Sequence, residues 1–226
     1  MSFPHYELFS SLFLYPDDKF PAVVRNIISI SSNIDFVKTY KSSIKELEKF
    51  YNFLPVDSVQ SMQELYIRSF DVQAATTLDI GYVLFSDDYK RGEILVHLNR
   101  ECNIAKVDCG SELSDHLPNV LRLISNHSDY TFLNELVKEL VAPALHKMIS
   151  EFDLKRSEKR DEFYKKQYKT LIDNDYKRRT LYGNALRSVY LMMLNDFDVS
   201  VDDIDDKASD FLFSLKKEFD TEKNTV

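Results

Sequence analysis

An acid and an imidazole stand side by side in the segment Glu112-Leu113-Ser114-Asp115-His116-Leu117-Pro118. A carboxylate beside a histidine is a pair that general acid–base catalysis can use. Catalysis by such a pair also needs a third group and a pocket, and the sequence shows neither. Taken as bare chemistry, Asp115 is better interpreted as a structural helix cap than as a catalyst.

Two other patterns carry groups that can bind metals. Glu93 and His97 lie four residues apart on a predicted helix, where an ordinary surface contact is the favoured interpretation. His97, Cys102, Cys109 and His116 form a conceivable Cys₂His₂ set. Their spacings of five, seven and seven residues lack the tight C-x₂₋₄-C and H-x₃₋₅-H pairs of zinc sites. We therefore expect two free cysteines, which suits a reducing compartment, and no bound metal.

The acid and the histidine are placed by a helix that begins within this segment. Ser114 or Asp115 can cap its N-terminus, because a short side-chain oxygen accepts the unpaired backbone N–H groups there. Pro118 then falls in the first turn, where its missing N–H costs nothing. The apolar residues of this helix recur at helical spacing, and they are Leu117, Val120, Leu121 and Ile124.

Most of the chain shows the same helical periodicity, with breaks at its few glycines and prolines. Residues 72–84 lose that periodicity and contain Gly81, so they are predicted to be a loop with a short extended piece. Pro143 is predicted to kink or divide a long helix that Asp129 caps. The predicted helices are residues 5–15, 19–30, 37–54, 58–70, about 87–98, 129–152, 153–179, 181–195 and 203–217.

Composition agrees with a helical protein. The 226 residues include only four glycines and six prolines, whereas sheet proteins use both in their turns. We predict an all-α fold, a single helical bundle-like domain of about eight to ten helices. It covers residues 1–220, and residues 221–226 form a frayed tail. The glycines also leave no room for a phosphate-binding loop, a dinucleotide fingerprint or a nucleophile elbow.

The charge of the chain limits its partners. A net charge of −8 argues against nucleic acid, which needs a basic face, and is compatible with a basic peptide. The apolar N-terminus has no basic region and no small-residue cleavage site, and no run approaches the ~18 apolar residues of a membrane span. A soluble, cytoplasmic protein is expected.

The segment around Asp115 and His116 resembles the E-L-P-D-H-L-P signature of the NarJ/TorD family, cytoplasmic chaperones for molybdenum-containing oxidoreductases. Ser114 stands where the family often has Pro, and Ser can still cap the helix. Three upstream segments fall in the same order as in the family, and the resemblance covers about residues 62–124. They are Tyr66-x-x-x-Phe70-Asp71, Gly81-Tyr82, and Lys90-Arg91-Gly92 followed by Leu95 and Leu98.

The resemblance, nearest to the nitrate reductase delta-subunit branch, implies an all-helical fold and a non-enzymatic task. Such chaperones bind the N-terminal peptide of a catalytic subunit, often a twin-arginine signal or its remnant. They support insertion of the molybdopterin cofactor, which the client and not the chaperone carries, before export or membrane docking. A basic, then apolar, peptide needs acids beside an aromatic groove. The residues expected to bind it are Tyr66, Phe70, Asp71, Tyr82, Phe85, Arg91, Glu112, Asp115, His116 and Pro118.

Two other functions remain open from the sequence. One is a helical metal-dependent enzyme that uses His97, His116 and nearby acids. The other is a non-catalytic regulatory or scaffold protein without a peptide groove. The segment Phe85-Ser86-Asp87-Asp88-Tyr89 is shorter than the family's E-H-x-H-G-x-S loop, so the client is not identified. Homodimerisation through exchange of elements near residues 72–84 is also left open.

Overall fold

The computed structural model describes residues 3–31, 34–152 and 180–199. These residues form α-helices and no β-strand, so the predicted all-α class is confirmed. Within the same ranges, no helix has the length and apolarity that crossing a bilayer would require. The helices are α1 His5–Ser10, α2 Phe20–Ser31, α3 Ile34–Phe53, α4 Val59–Phe70, α5 Ile80–Phe85, α6 Tyr89–Ile104, α7 Leu117–Asn126, α8 Tyr130–Leu136, α9 Ala142–Glu151 and α10 Leu181–Asp196.

The chain folds into two compact units, each assembled from segments that are distant in sequence. The first unit contains the described residues of 3–13, 78–144 and 193–199, and the second contains those of 14–77 and 145–192. The single domain of residues 1–220 stays a prediction. The expected tail, 221–226, and the predicted helices 153–179 and 203–217 lie outside the described residues.

The first unit is built around α7. Helix α1 and the 3₁₀ turn Ser11–Phe13 pack against it, and α5 packs on α6 and on a π-helical turn at Val137–Val141. The four apolar residues predicted for the buried face of α7 are all buried. Burial of these side chains removes apolar area from water and is the main force that holds the unit together.

The second unit has an aromatic core. The ring of Tyr182 is fully buried and lies 4.8 Å from the ring of Phe70 and 5.2 Å from that of Phe50, centroid to centroid. The Phe70–Tyr182 pair is edge-to-face, and pairs of this kind add to the stabilisation that burial alone provides. Tyr66 and Phe152 extend the cluster through contacts with Phe70.

Three predicted helix starts are confirmed by their caps. The side chain of Ser58 accepts a hydrogen bond from the backbone N–H of Ser61 at the start of α4. Asp88 caps α6 and Asp129 caps α8 in the same manner, each accepting from the first turn of its helix. Caps satisfy backbone donors that have no partner inside the helix, which is why short polar residues mark these positions.

The predicted loop at residues 72–84 is wrong for its last part, because α5 begins at Ile80. A helix of six residues is too short to show a hydrophobic period and too short to be stable by itself. Its formation depends on contacts from residues far along the chain, described below.

The break predicted at Pro143 is confirmed and takes the form of the π-helical turn Val137–Val141 between α8 and α9. Proline has no N–H to donate to the carbonyl four residues earlier, so a regular helix that continues through it loses that hydrogen bond. The wider π turn, which closes bonds over five residues, takes up the irregularity.

Gly183 offers a direct test of packing in the second unit. A Cβ atom on Gly183 would lie 2.8 Å from Cβ of Phe152 and 3.1 Å from its Cγ. We predict that Gly183→Ala lowers the free energy of unfolding by about 1–3 kcal/mol, the usual cost of overpacking. Urea denaturation monitored by circular dichroism measures this change.

The double variant Gly183→Ala, Phe152→Gly serves as the control for the cause, because it removes both Phe152 atoms that the new methyl group would meet. If the steric contact is responsible, the double variant is more stable than the sum of the two single effects requires. Strict additivity would show that Gly183 matters for another reason.

Candidate functional site

Helix α7 begins at Leu117, and the residue before it is His116 rather than Ser114 or Asp115. The predicted side-chain cap is wrong, because no side chain caps this helix. The hydroxyl of Ser114 instead donates to the carbonyl of Leu95 at 3.3 Å. Pro118 lies in the first turn and is buried, as predicted for its position.

Backbone groups replace the missing cap. The N–H of Leu117 donates to the carbonyl of Leu78 at 2.9 Å, and the N–H of Ile80 donates to the carbonyl of Asp115 at 3.0 Å. These two bonds form an isolated antiparallel bridge between Asp79 and His116. Because Ile80 and Leu117 are the first residues of α5 and α7, each helix N-terminus satisfies a donor with a carbonyl from the other segment. We call this arrangement the reciprocal cap.

An arginine from a third segment joins the two halves of the reciprocal cap. Nε of Arg91, in α6, donates to Oδ2 of Asp115 at 3.0 Å, and its Nη2 donates to Oδ2 of Asp79 at 2.9 Å. The residue Asp115 is 0% exposed and the side chain of Arg91 is 15% exposed. Charged pairs with this little water around them are strong only when their geometry is good, and removing one partner is costly.

Asp79 also holds the histidine. Nδ1 of His116 lies 3.0 Å from Oδ1 of Asp79, so one carboxylate receives both the arginine and the imidazole. With Nδ1 engaged, Nε2 is the ring nitrogen that can meet a ligand. The side chain of His116 is 15% exposed, and that of Asp79 is 28% exposed.

The close packing of Asp115 and Arg91 around residue 81 requires a glycine there. A Cβ atom at this position would lie 2.7 Å from Oδ2 of Asp115 and 3.3 Å from Cγ of Arg91. The next residue, Tyr82, is 40% exposed, and its ring lies 5.3 Å from the Arg91 guanidinium carbon. Absence of a side chain at residue 81 therefore lets the arginine fit between an aspartate and an aromatic ring.

Burial and charge shift the pKa values of this cluster in different directions. The hydrogen bond with His116 is the main cause that holds the pKa of Asp79 below its ordinary value, against the effect of burial. Burial raises the pKa of Asp115, even though its bond to Arg91 acts in the opposite direction. Burial also lowers the pKa of Arg91, but the two aspartates outweigh it and raise that pKa. For Asp115, the increase in pKa caused by burial is therefore larger than the decrease caused by Arg91.

A tight turn connects α5 with α6. The N–H of Asp88 donates to the carbonyl of Phe85 at 3.1 Å, and Ser86 adopts φ 53° and ψ −132°. These angles are those of the first central residue of a type II′ turn, a position that favours glycine. The turn exposes Ser86, Asp87 and Asp88 beside the N-terminus of α6.

Four of the ten residues predicted to bind a peptide share this cluster: Tyr82, Arg91, Asp115 and His116. Pro118 follows them in α7, and Glu112 is exposed in the segment before it. Phe85 is half-buried at the end of α5. Tyr66, Phe70 and Asp71 belong to the second unit, where the first two contribute to the aromatic core.

Asp79 links the histidine to the arginine but is not among the residues that the sequence predicted for the site. It fell within the predicted loop, and its neighbours there offered no helical pattern. The available signal was the placement of an aspartate directly before Ile80-Gly81, because aspartate is common just before the first turn of a helix.

The candidate metal ligands do not form a cluster. Over residues 3–31, 34–152 and 180–199, no three His, Cys, Asp or Glu side chains are grouped as a metal ion would need. Cys102 and Cys109 are free thiols, as predicted.

Comparisons of the chain with protein-family models, with curated proteins and with solved structures give no match.

We predict that Arg91→Met lowers the free energy of unfolding by ~3–5 kcal/mol near neutral pH, because it leaves the buried Asp115 carboxylate without its cation. The loss should be smaller at mildly acidic pH. Without Arg91 the pKa of Asp115, already raised, rises further, so a folded protein at lower pH holds a neutral carboxyl group. Asp79 titrates below its ordinary pKa and does not contribute in this range. Urea denaturation at pH 5 and pH 7 measures the difference.

Two variants test the cause of that pH dependence. Arg91→Met combined with Asp115→Asn removes the titrating group, so its stability loss should be the same at both pH values. Arg100→Met alters an arginine of the same helix whose side chain is 45% exposed, and its effect should stay within about 1 kcal/mol. An equal loss at pH 5 and pH 7 in Arg91→Met would contradict the assignment.

Gly81→Ala should destabilise the protein, because its methyl group would occupy the space between Asp115 and Arg91. The matched change Gly92→Ala has no heavy atom within 4 Å of the new carbon and lies within α6. It should raise the free energy of unfolding by up to about 1 kcal/mol, because alanine is the better helix former. Thermal denaturation of the two variants should therefore give shifts of opposite sign.

Proposed function

We propose that this protein is a non-catalytic assembly chaperone of the NarJ/TorD type. In this proposal it binds the N-terminal peptide of a molybdopterin-containing oxidoreductase subunit in the cytoplasm. It supports cofactor insertion before the client is exported or docked at the membrane. The resemblance over residues 62–124 supplies the class of partner, and the geometry of the first unit supports it.

The observation that carries the proposal is the convergence of three separate motif segments. Tyr82, Arg91 and the Asp115-His116 pair come from three segments of the sequence and meet in the network around Arg91, where Gly81 leaves the space that the arginine fills. A shared local cluster explains why the three motifs would occur together in one chain. It does not require that every motif residue touch the client.

Burial divides these residues into two roles. Asp115, Gly81 and Pro118 are buried, and Arg91, whose side chain is as little exposed as that of His116, is held between two aspartates, so we assign these four a positioning role. Tyr82, His116 and Asp79 reach the surface, and we assign contact with the peptide to them.

The chemistry of the exposed groups suits a peptide that is basic and then apolar. Asp79 and the exposed Glu112 supply negative charge for arginine side chains. Tyr82 and Leu113, which are 40% and 49% exposed, supply apolar surface for the following segment. The net charge of −8 also favours approach of a basic peptide.

Calorimetry with a synthetic peptide tests the proposal. The peptide carries two adjacent arginines followed by ~12 apolar residues, the size of a signal-peptide core. We expect saturable one-to-one binding that weakens at least about tenfold in Tyr82→Ala and in His116→Gln, the loss of ~1.4 kcal/mol. A peptide with both arginines replaced by glutamine should bind the wild type weakly.

The control variant is Tyr130→Ala, which removes a tyrosine of similar exposure, 37%, from the same unit. Its affinity for the peptide should equal that of the wild type, and circular dichroism should show that all variants keep their helices. Equal affinities in Tyr82→Ala, His116→Gln and Tyr130→Ala would remove this surface from the proposal. No binding of any such peptide by the wild type would remove the function.

A further inference from the structure

Cys102 and Cys109 are brought together by the way α6 ends. The N–H of Lys106 donates to the carbonyl of Asn103 at 3.2 Å, and the N–H of Val107 donates to that of Cys102 at 2.8 Å. This pair of bonds is a Schellman motif, which needs a left-handed residue after the helix, and Lys106 has φ 58°. The chain therefore reverses directly after α6, which directs the segment that carries Cys109 back toward the helix.

Cys109 lies close enough to Cys102 to help raise the pKa of its thiol. Cys102 is buried, with 2% exposure, whereas Cys109 is partly exposed. The position of Cys109 is fixed from the other side by Asn119, whose amide donates to the carbonyls of Cys109 at 3.3 Å and Leu113 at 2.8 Å. Cys109 is therefore the more accessible of the two cysteines.

We propose that Cys102 and Cys109 are a redox-active pair that closes to an intramolecular disulfide when the protein meets a peroxide. The sulfur of Cys109 attacks one peroxide oxygen, the O–O bond breaks, and the products are a sulfenic acid and water. The sulfur of Cys102 then attacks the Cys109 sulfur and displaces hydroxide, which takes up the Cys102 proton and leaves as water. In sum, two thiols and one hydrogen peroxide give one disulfide and two waters.

The order of attack follows from the surroundings of each thiol. Burial, together with the nearby Cys109, raises the pKa of Cys102 to about 12, so Cys102 stays protonated and is a poor first nucleophile. Cys109 is the thiol that solvent and peroxide can reach. Cys102 acts as the resolving group because it is already in place.

The disulfide would tie the segment after α6 to the helix itself. Residues 109–116 lead from Cys109 to His116, so oxidation restrains the segment that ends at the reciprocal cap. This inference does not depend on peptide binding, and its test does not use the peptide.

The experiment uses the full chain, reduced, freed of reductant and kept with a metal chelator. It is treated with increasing hydrogen peroxide, denatured in N-ethylmaleimide to cap remaining thiols, and digested with trypsin without reduction. Cleavage after Lys106 separates the peptide 101–106, which holds Cys102, from 107–122, which holds Cys109. We expect both alkylated peptides to disappear together and one disulfide-joined peptide to replace them, lighter by two hydrogens than the sum of the two unalkylated peptides.

Two variants define the roles of the thiols. Cys109→Ala should leave Cys102 open to alkylation at peroxide doses that close the wild-type pair, because peroxide does not reach the buried thiol. Cys102→Ala should convert Cys109 to sulfinic acid or to a disulfide between two molecules, because the resolving group is gone.

The wild-type digest alone decides the proposal, whether or not either variant folds. Cys109 oxidised to sulfinic acid while Cys102 is still alkylated would overturn it. Disulfides only between separate molecules, visible as dimers in a non-reducing gel, would overturn it as well.

Discussion

The structure of the first unit depends on two helix N-termini that satisfy each other. A helix begins with backbone donors that have no partner inside it, and a buried donor without a partner costs free energy. At α5 and α7 the first N–H of each helix reaches a carbonyl of the opposite segment, Asp115 for Ile80 and Leu78 for Leu117. Side-chain caps are absent at both helices. Asp79 and His116 occupy the two cap positions, but their side chains do not cap the helices. The carboxylate of Asp79 instead bonds to the imidazole of His116 and accepts a hydrogen bond from Arg91.

This arrangement requires that the charge of Asp115 be buried. Burial raises the pKa of Asp115, which means that the folded protein holds its carboxylate at some cost even with Arg91 beside it. One of its oxygens, Oδ1, has no hydrogen-bond partner within the described ranges. A buried ion pair of this type contributes little to net stability, and its best-attested use is to fix one register against others. Here the pair joins α6 to the segment before α7, and the missing side chain of Gly81 leaves space for it.

Local signals predicted much of the fold and only part of the site. Ser58, Asp88 and Asp129 mark helix starts because their side chains bond to the next few residues, and a sequence displays that relation directly. Helix α5 and Asp79 were missed because their stabilising partners lie more than thirty residues away along the chain, at Asp115 and His116. The left-handed Lys106 was equally hidden, since glycine is the usual residue at that position. Asp115 lies in the cluster around Arg91, but its complete burial depends on three segments meeting and has no local signature.

Hydrogen bonds in the segment before α7 connect the positions of Cys109 and Leu113 to that of His116. Asn119, in the first turn of α7, bonds to the carbonyls of Cys109 and Leu113, and Arg122 donates to the side-chain oxygen of Asn119. The N–H of His116 bonds to the carbonyl of Leu113 as well. The segment between α6 and α7 is therefore held at Cys109, Leu113 and His116 by hydrogen bonds of its backbone groups. A displacement of Cys109 would act on Asn119 and thus on the first turn of α7, whose N-terminus is half of the reciprocal cap. Tyr82, which is exposed, and His116, which is partly exposed, take their positions from this interior network, so the surface proposed for the peptide is set by side chains to which we assign no contact with it.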